Sequence, residues 1–422
     1  MKKVLAIVAA VAVVSSVASA QLLKNFKLDG SSLEINAYNL NNADFNDDNG
    51  DKKGDVDTRL MLNMSFDLND DANAVVTLVK NNRQWGTNSE NINDKDNKGI
   101  LNNIYVEQAY INLKGVLGMD HKLGRQFYGN PGDLVIYYGP KMWPYQPTFG
   151  IVNAIDAWVG TYNYKDWTFT GIMGKEKRNK DNLGNNLSGI DIKKKIDRFN
   201  LNAYYYYKVD NTTTTPNTGH LGLYGFRANW ECRFVEGLNL GLEYNHNAGS
   251  DNSYKKYKGY AYKVNAGYTT DKAAGKLGLN AEYAYLSGDN NPGDTDNETY
   301  TSIADDYRPG IIYGGNWIDW NTYYRYTGDG DKIIKLGLNW TPEKLNKLNL
   351  AFDYINFKAA EKETNMTEDT LGNEYDIVAT WNHSDKVSLK GYYAMFEPEK
   401  KNLIGITDDM ETMLGAAFVV KF

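Results

Sequence analysis

The chain has one cysteine, Cys232, in 422 residues. No intramolecular disulfide can form, so hydrogen bonding and packing must hold the fold without covalent help. Histidine is nearly as scarce. The four residues, His121, His220, His246 and His383, show no i,i+4 pair, no HExxH and no Cys/His metal spacing. Basic residues are outnumbered, 46 against 53 acidic. That argues against nucleic-acid partners, which call for a basic footprint. Proline occurs only 9 times. No apolar run beyond the first twenty residues approaches the length of a membrane helix.

The first twenty residues read MKKVLAIVAAVAVVSSVASA. Lys2 and Lys3 form a basic start, Val4 to Val14 an apolar stretch, and Ala18-Ser19-Ala20 a small-residue cleavage site. This is the pattern of a secretory signal peptide, with Gln21 as the expected mature N-terminus. At about 11 apolar residues the stretch is too short to span a bilayer. Removing the two lysines takes the net charge from −7 to −9, with 44 basic residues against 53 acidic.

What is abundant is tyrosine, 32 residues, and glycine, 39. The average hydropathy looks soluble, but a membrane barrel looks the same, because only alternate residues of each strand meet lipid. Alternation is plain in LNLGLEY (238–244), YAYKVNAGY (260–268) and LGLNAEYAY (277–285). Leu238, Leu240, Leu242 and Tyr244 share one face, while Asn239, Gly241 and Glu243 share the other. Apolar faces ending in aromatic residues suit a girdle at a bilayer interface.

Alternation predicts eighteen strands: 32–40, 57–68, 73–83, 102–114, 119–127, 153–164, 167–175, 186–193, 198–208, 220–230, 237–247, 259–269, 275–287, 332–341, 347–357, 373–382, 387–396 and 410–422. The short connections are 69–72, 115–118, 165–166, 193–196, 231–236, 270–274, 342–346 and 383–386. They alternate without a break with long ones at 41–56, 84–101, 128–152, 176–185, 209–219, 248–258, 288–331, 358–372 and 397–409. Short periplasmic turns and long outer loops have this arrangement, whereas a soluble sandwich has no reason to sort its loops by parity. The expected fold is a single 18-stranded antiparallel transmembrane β-barrel over residues 21–422, in the bacterial outer membrane. The chain ends MLGAAFVVKF, with Met410, Thr412, Leu414, Ala416, Phe418, Val420 and Phe422 on one face. Such a strand, ending at Phe422, resembles the signature that the barrel assembly machinery reads. Pairing with the first strand near Leu33, Ile35 and Ala37 would close the barrel and remove the edge that lipid does not tolerate.

With the apolar face taken as outward, the lumen receives Glu34, Arg59, Asp67, Asp156, Arg198, Arg227, Glu243, Lys263, Glu282, Lys335, Asp353, Glu374, Asp376, Lys390 and Glu411. Mixed charge of this kind is either a structural ion-pair lining or a water-filled, weakly selective pore for hydrophilic solutes. The segment WPYQPTF (143–149), with Trp143 and Tyr145, either folds inwards over the pore, where its rings would suit sugars, or packs as an outer loop. Asp47, Asn49 and Asp51 suggest a calcium loop, but the glycine and closing glutamate are misplaced. The loops read better as solvated chain. No motif supports catalysis, a metal or a cofactor. The partners expected are outer-membrane lipids and small polar solutes or saccharides, with no nucleic acid.

The segments YVEQAYINL (105–113) and KLGRQ (122–126) resemble the alginate-export family of outer-membrane barrels. YLSGD (285–289) with PGD (292–294), and WTPEK (340–344) with LNLAFDYINF (348–357), are similar to that family's later motifs. The resemblance implies eighteen strands and a conduit lined, in the best-known members, with arginine for a polyanionic polysaccharide. It implies that Arg125 is a lumen or rim cation, and that Asp289 and Asp294 shape the loop over the pore. The inward set has more acids than bases, which would repel a polyuronate. A general channel is therefore the leading expectation, with a dedicated exporter of an anionic exopolysaccharide such as alginate and a plugged structural barrel as alternatives.

Overall fold

The computed structural model describes residues 24–41, 52–82, 104–140, 154–176, 184–210, 219–313, 330–362, 368–399 and 409–422. Eighteen antiparallel strands form the wall: β1 (Ser32–Asn41), β2 (Lys53–Asp67), β3 (Ala72–Asn82), β4 (Ile104–Val116), β5 (Met119–Gln126), β6 (Ile155–Tyr164), β7 (Trp167–Lys175), β8 (Asn186–Ile196), β9 (Phe199–Asp210), β10 (Gly219–Glu231), β11 (Leu238–Ser250), β12 (Tyr260–Thr270), β13 (Gly275–Leu286), β14 (Asp331–Pro342), β15 (Leu348–Ala359), β16 (Thr370–Ser384), β17 (Val387–Pro398) and β18 (Glu411–Lys421). Each pairs with its neighbours in sequence, and β18 returns to β1 with Ser32 opposite Lys421 and Ile35 opposite Phe418. Closure leaves no unpaired edge, the condition that hydrocarbon imposes on any sheet that crosses it.

The pleat accounts for the two surfaces. Along β11, Leu240 and Leu242 are exposed on the outside while Glu243, Asn245 and Asn247 are buried within. On β18 the exposed Leu414 and Phe418 alternate with buried Met413 and Ala417. At one end the strands join by tight turns. Lys165 (φ 52°) and Asp197 (φ 49°) open two-residue hairpins, and Leu117 (φ 54°) with Gly118 (φ 77°) forms another. Positive φ at the first turn residue matches the twist of the flanking strands. Both described ends of the chain lie at this short-turn end.

Two local differences from the sequence reading follow from strand length. β8 runs on to Ile196, so Lys193, Lys194 and Lys195 are strand residues and the turn is Asp197-Arg198. A further short strand, Lys24–Lys27, adds to β2.

A cylinder of this size has no filled core. Many of its buried apolar side chains form two clusters inside the lumen, where long loops fold back against the inner wall. Leu134, Val135, Ile136 and Tyr138 pack with Ile155, Ile172, Leu187, Tyr204, Tyr206 and Leu223. Ile311 and Ile312 pack with Ile333, Ile355, Phe357, Ala394, Phe396 and Met413.

Candidate functional site in the barrel lumen

The loop after β5 and the loop after β13 are joined inside the barrel. Tyr137 N donates to Ala304 O at 2.6 Å, Ile303 N and Ala304 N donate to Val135 O at 3.1 Å, and Asp306 N donates to Asp133 O at 2.9 Å. Tyr300 adds a hydroxyl bond to Leu134 O at 3.0 Å. The apolar runs LVIYY (134–138) and II (311–312) explain why these loops enter the barrel: outside it, their side chains would face water. The acidic remainder of the second loop stays outside. Asp289 Oδ1 and Asp294 Oδ1 accept the amides of Asn291 and Asp296 at 3.1 and 2.7 Å, closing turns beyond the rim. The same loop packs into the inner apolar cluster at Tyr300 and Ile303. Trp143 and Tyr145, and the acidic stretch Asp47–Asp51, lie outside the described residues.

Three inward carboxylates hold the second loop in place. Glu374, fully buried, accepts the amides of Ile312 at 2.6 Å and Tyr313 at 3.0 Å, and Asp376 accepts that of Ile311 at 3.1 Å. Glu282 accepts the Tyr307 hydroxyl at 2.6 Å. Glu374, with a backbone donor on each oxygen, is satisfied without a counter-ion. The inward cations are also engaged. Arg227 Nη2 bridges Asp133 Oδ1 at 2.6 Å and Glu243 Oε1 at 2.9 Å, with its guanidinium carbon 4.8 Å from the centre of the Tyr204 ring. Lys263 Nζ lies 3.8 Å from Glu243, Lys335 Nζ lies 2.9 Å from both Asp353 Oδ2 and Pro309 O, and Arg59 pairs with Glu34. Lys390 faces inward opposite Ala417.

Burial pushes the Asp133 carboxyl above the usual carboxylate range, with Arg227 opposing. Burial likewise raises the loop tyrosines. Tyr128 and Tyr137 are pushed up to about 12, and Tyr300 and Tyr307 lie well above the usual tyrosine value. All four remain neutral hydroxyls at ordinary pH.

Three expected lining residues sit elsewhere. Arg125 and Asp156 are opposite each other on β5 and β6, share the outward face with exposed Leu123, and approach to 3.8 Å. On β6 the apolar residues Ile155, Ala157 and Val159 face inward because the lumen at that level is filled by the apolar loop. The assumption that apolar means lipid-facing fails there, and Asp156 is turned outward. Arg198 lies in the exposed turn after β8, its Nη1 3.3 Å from Cys232 O. Sequence reasoning missed Lys122, which faces inward under Tyr110, and Asp133, Asp191 and Glu107. Glu107 is the extra residue of a bulge on β4, where the register with β3 shifts. It is buried, with Arg125 Nη2 at 3.9 Å.

Towards the short turns the inner wall changes character. Asn163, Asn200, Asn229, Asn280 and Asn339 are inward and exposed to the lumen. Glycines stand opposite several of these amides. A Cβ on Gly241 would run into Asn265 and Asn229, one on Gly278 into Asn339, and one on Gly337 into Asn280 and Asp353. The missing side chains let the amides lie flat on the wall, and this half of the lumen presents amides interspersed with lysines such as Lys122 and Lys193.

The family model described as alginate export matches residues 36–398. No curated protein matches the chain. Among solved structures, it resembles OpdO of Pseudomonas aeruginosa at 11% identity and TM-score 0.59, with 96% of this chain and 98% of that chain covered. The outer membrane protein OprD of Pseudomonas aeruginosa is similar at 13% identity and TM-score 0.57, covering 95% and 96% respectively. OccK5 (OpdH) of the same organism gives 13% identity and TM-score 0.56, covering 95% and 99%. At such identities the likeness is one of fold.

Proposed function

Since the chain belongs to the alginate export family, we propose that it is an outer-membrane channel through which hydrophilic solutes diffuse passively. The observation that carries this reading is the lower lumen: exposed inward asparagines and glycines in a closed barrel form a hydrated conduit, the lining that lets polar solutes cross. A dedicated route for a polyanion would need unneutralised cations facing the lumen, whereas Arg59, Arg227, Lys263 and Lys335 each meet a carboxylate. Nothing in this arrangement requires a catalytic group, and the histidines support the same reading. His246 stacks on Tyr224 with centroids 5.3 Å apart on the outer face, and His121 accepts from Trp158 Nε1 at 3.0 Å there.

In this reading residues 1–20 direct export and are removed, residues 21–422 form the barrel, and the long loops face outwards. Acyl chains cover residues such as Leu242, Val264, Leu338 and Phe418, and the assembly machinery engages the strand ending at Phe422. The loops joined across the lumen favour a second reading, a structural barrel closed to solutes. Swelling of liposomes that contain the purified protein separates the two. Rates that fall with increasing size of a neutral polyol support the channel; liposomes that stay as tight as protein-free ones support the structural barrel.

A further inference from the structure

Just below the apolar loop, on the short-turn side, a cavity of about 140 Å³ opens in the inner wall. Tyr128, Thr170, Asp191, Lys193, Tyr206 and Arg227 are among its lining residues. A volume of this order holds a single six-membered ring. Asp191 is only 7% exposed, yet its Oδ1 makes no hydrogen bond among the described residues and meets Lys193 Nζ only at 3.8 Å. An unsatisfied buried carboxylate oxygen costs stability unless a donor from outside the chain reaches it. Beside it the Tyr128 and Tyr206 hydroxyls lie 3.1 Å apart. That contact uses one hydroxyl proton and leaves the other to donate. The Tyr206 ring is pressed against the wall because Gly189 has no Cβ; one placed there would overlap the ring.

The charges in the pocket balance. Arg227 is held by Asp133 and Glu243, and Lys193 faces Asp191. What remains is one carboxylate acceptor, several hydroxyls and an aromatic surface. We infer that this pocket is a subsite for a neutral polyhydroxylated solute, a saccharide, whose hydroxyls donate to Asp191 and exchange hydrogen bonds with Tyr128, Tyr206 and Thr170. The inference rests on the channel reading and deepens it. Beyond the pocket the amide-lined wall continues towards the short turns, from Asn202, opposite both Lys193 and Arg227, on to Asn200 and Asn229.

The test is calorimetry on the full barrel in detergent with maltotriose as the probe, alongside single-channel recording with the same sugar. The wild type is expected to bind maltotriose and to show interruptions of current. Asp191→Asn is expected to weaken maltotriose binding about tenfold, the loss of one charge-assisted hydrogen bond. Tyr206→Phe, which keeps the ring, supplies the same comparison if Asp191→Asn fails to fold. Conducting channels with no maltotriose binding, or with binding indifferent to both variants, would overturn the subsite and leave the channel intact. Binding that depends on Asp191 in a silent barrel would uphold the subsite and overturn passage. Tighter binding of trigalacturonate or L-lysine than of maltotriose would overturn the neutral-saccharide assignment.

Discussion

Arg227 shows how a single lumen residue serves the fold. It joins β10 to β11 through Glu243 and to the inward loop through Asp133, on which the amides of Val135 and Ile136 also converge at 2.8 and 3.3 Å. Removing one member of such a buried group leaves uncompensated charge behind. Arg227→Ala should therefore lower stability by about 3–5 kcal/mol, measured as urea unfolding of the barrel in detergent micelles; a change within error would mean the pair is dispensable. Glu374 makes a different residue-level prediction, because its two oxygens hold backbone rather than a cation. Glu374→Gln replaces one acceptor oxygen by a donor and should release the loop at Ile312 and Tyr313. Chymotryptic cleavage at Tyr307 or Tyr313 should then become fast in an otherwise resistant barrel.

At the scale of elements, strands β10 to β15 set several amides opposite glycines across the ladder, as Asn229 and Asn265 opposite Gly241, Asn339 opposite Gly278 and Asn280 opposite Gly337. Gly337→Leu should push Asn280 and Asp353 into the lumen and reduce single-channel conductance without loss of the folded barrel; an unchanged conductance would place the narrowest point at the loops alone. The seam between β1 and β18 tests the outer face. Phe418 points outward opposite Ile35, and Phe418→Arg should cost about 2–4 kcal/mol if the residue lies near the bilayer midplane, read from folding into lipid vesicles. The strands were legible because their signal is local: period-two alternation survives wherever one face meets lipid, as on β11, β12 and β18. The same logic failed on β6, where Ile155, Ala157 and Val159 face a lumen filled by apolar loop and Asp156 is turned outward. It failed again at β8, whose lysines look like a turn but lie along a strand with alternate faces. Long-range loop docking leaves only a faint local trace, the apolar run at 134–138, and Asp133 and Asp191 acquire their roles from partners distant in sequence.

For the whole molecule, sorting the loops by length gives two unlike halves. The long-loop half is filled by docked loops and paired charges, while the inner wall of the short-turn half is lined by amides with a few lysines among them. Cations and anions in such a lumen meet fields that largely cancel, so passage should depend on size and hydrogen bonding more than on charge. The reversal potential of single channels in a planar bilayer under a KCl gradient tests this most directly. The account predicts discrete open channels with a potential near zero. Strong anion selectivity would contradict it, since Arg59, Arg227, Lys263 and Lys335 are each held by a carboxylate here, and a silent bilayer would contradict the channel itself.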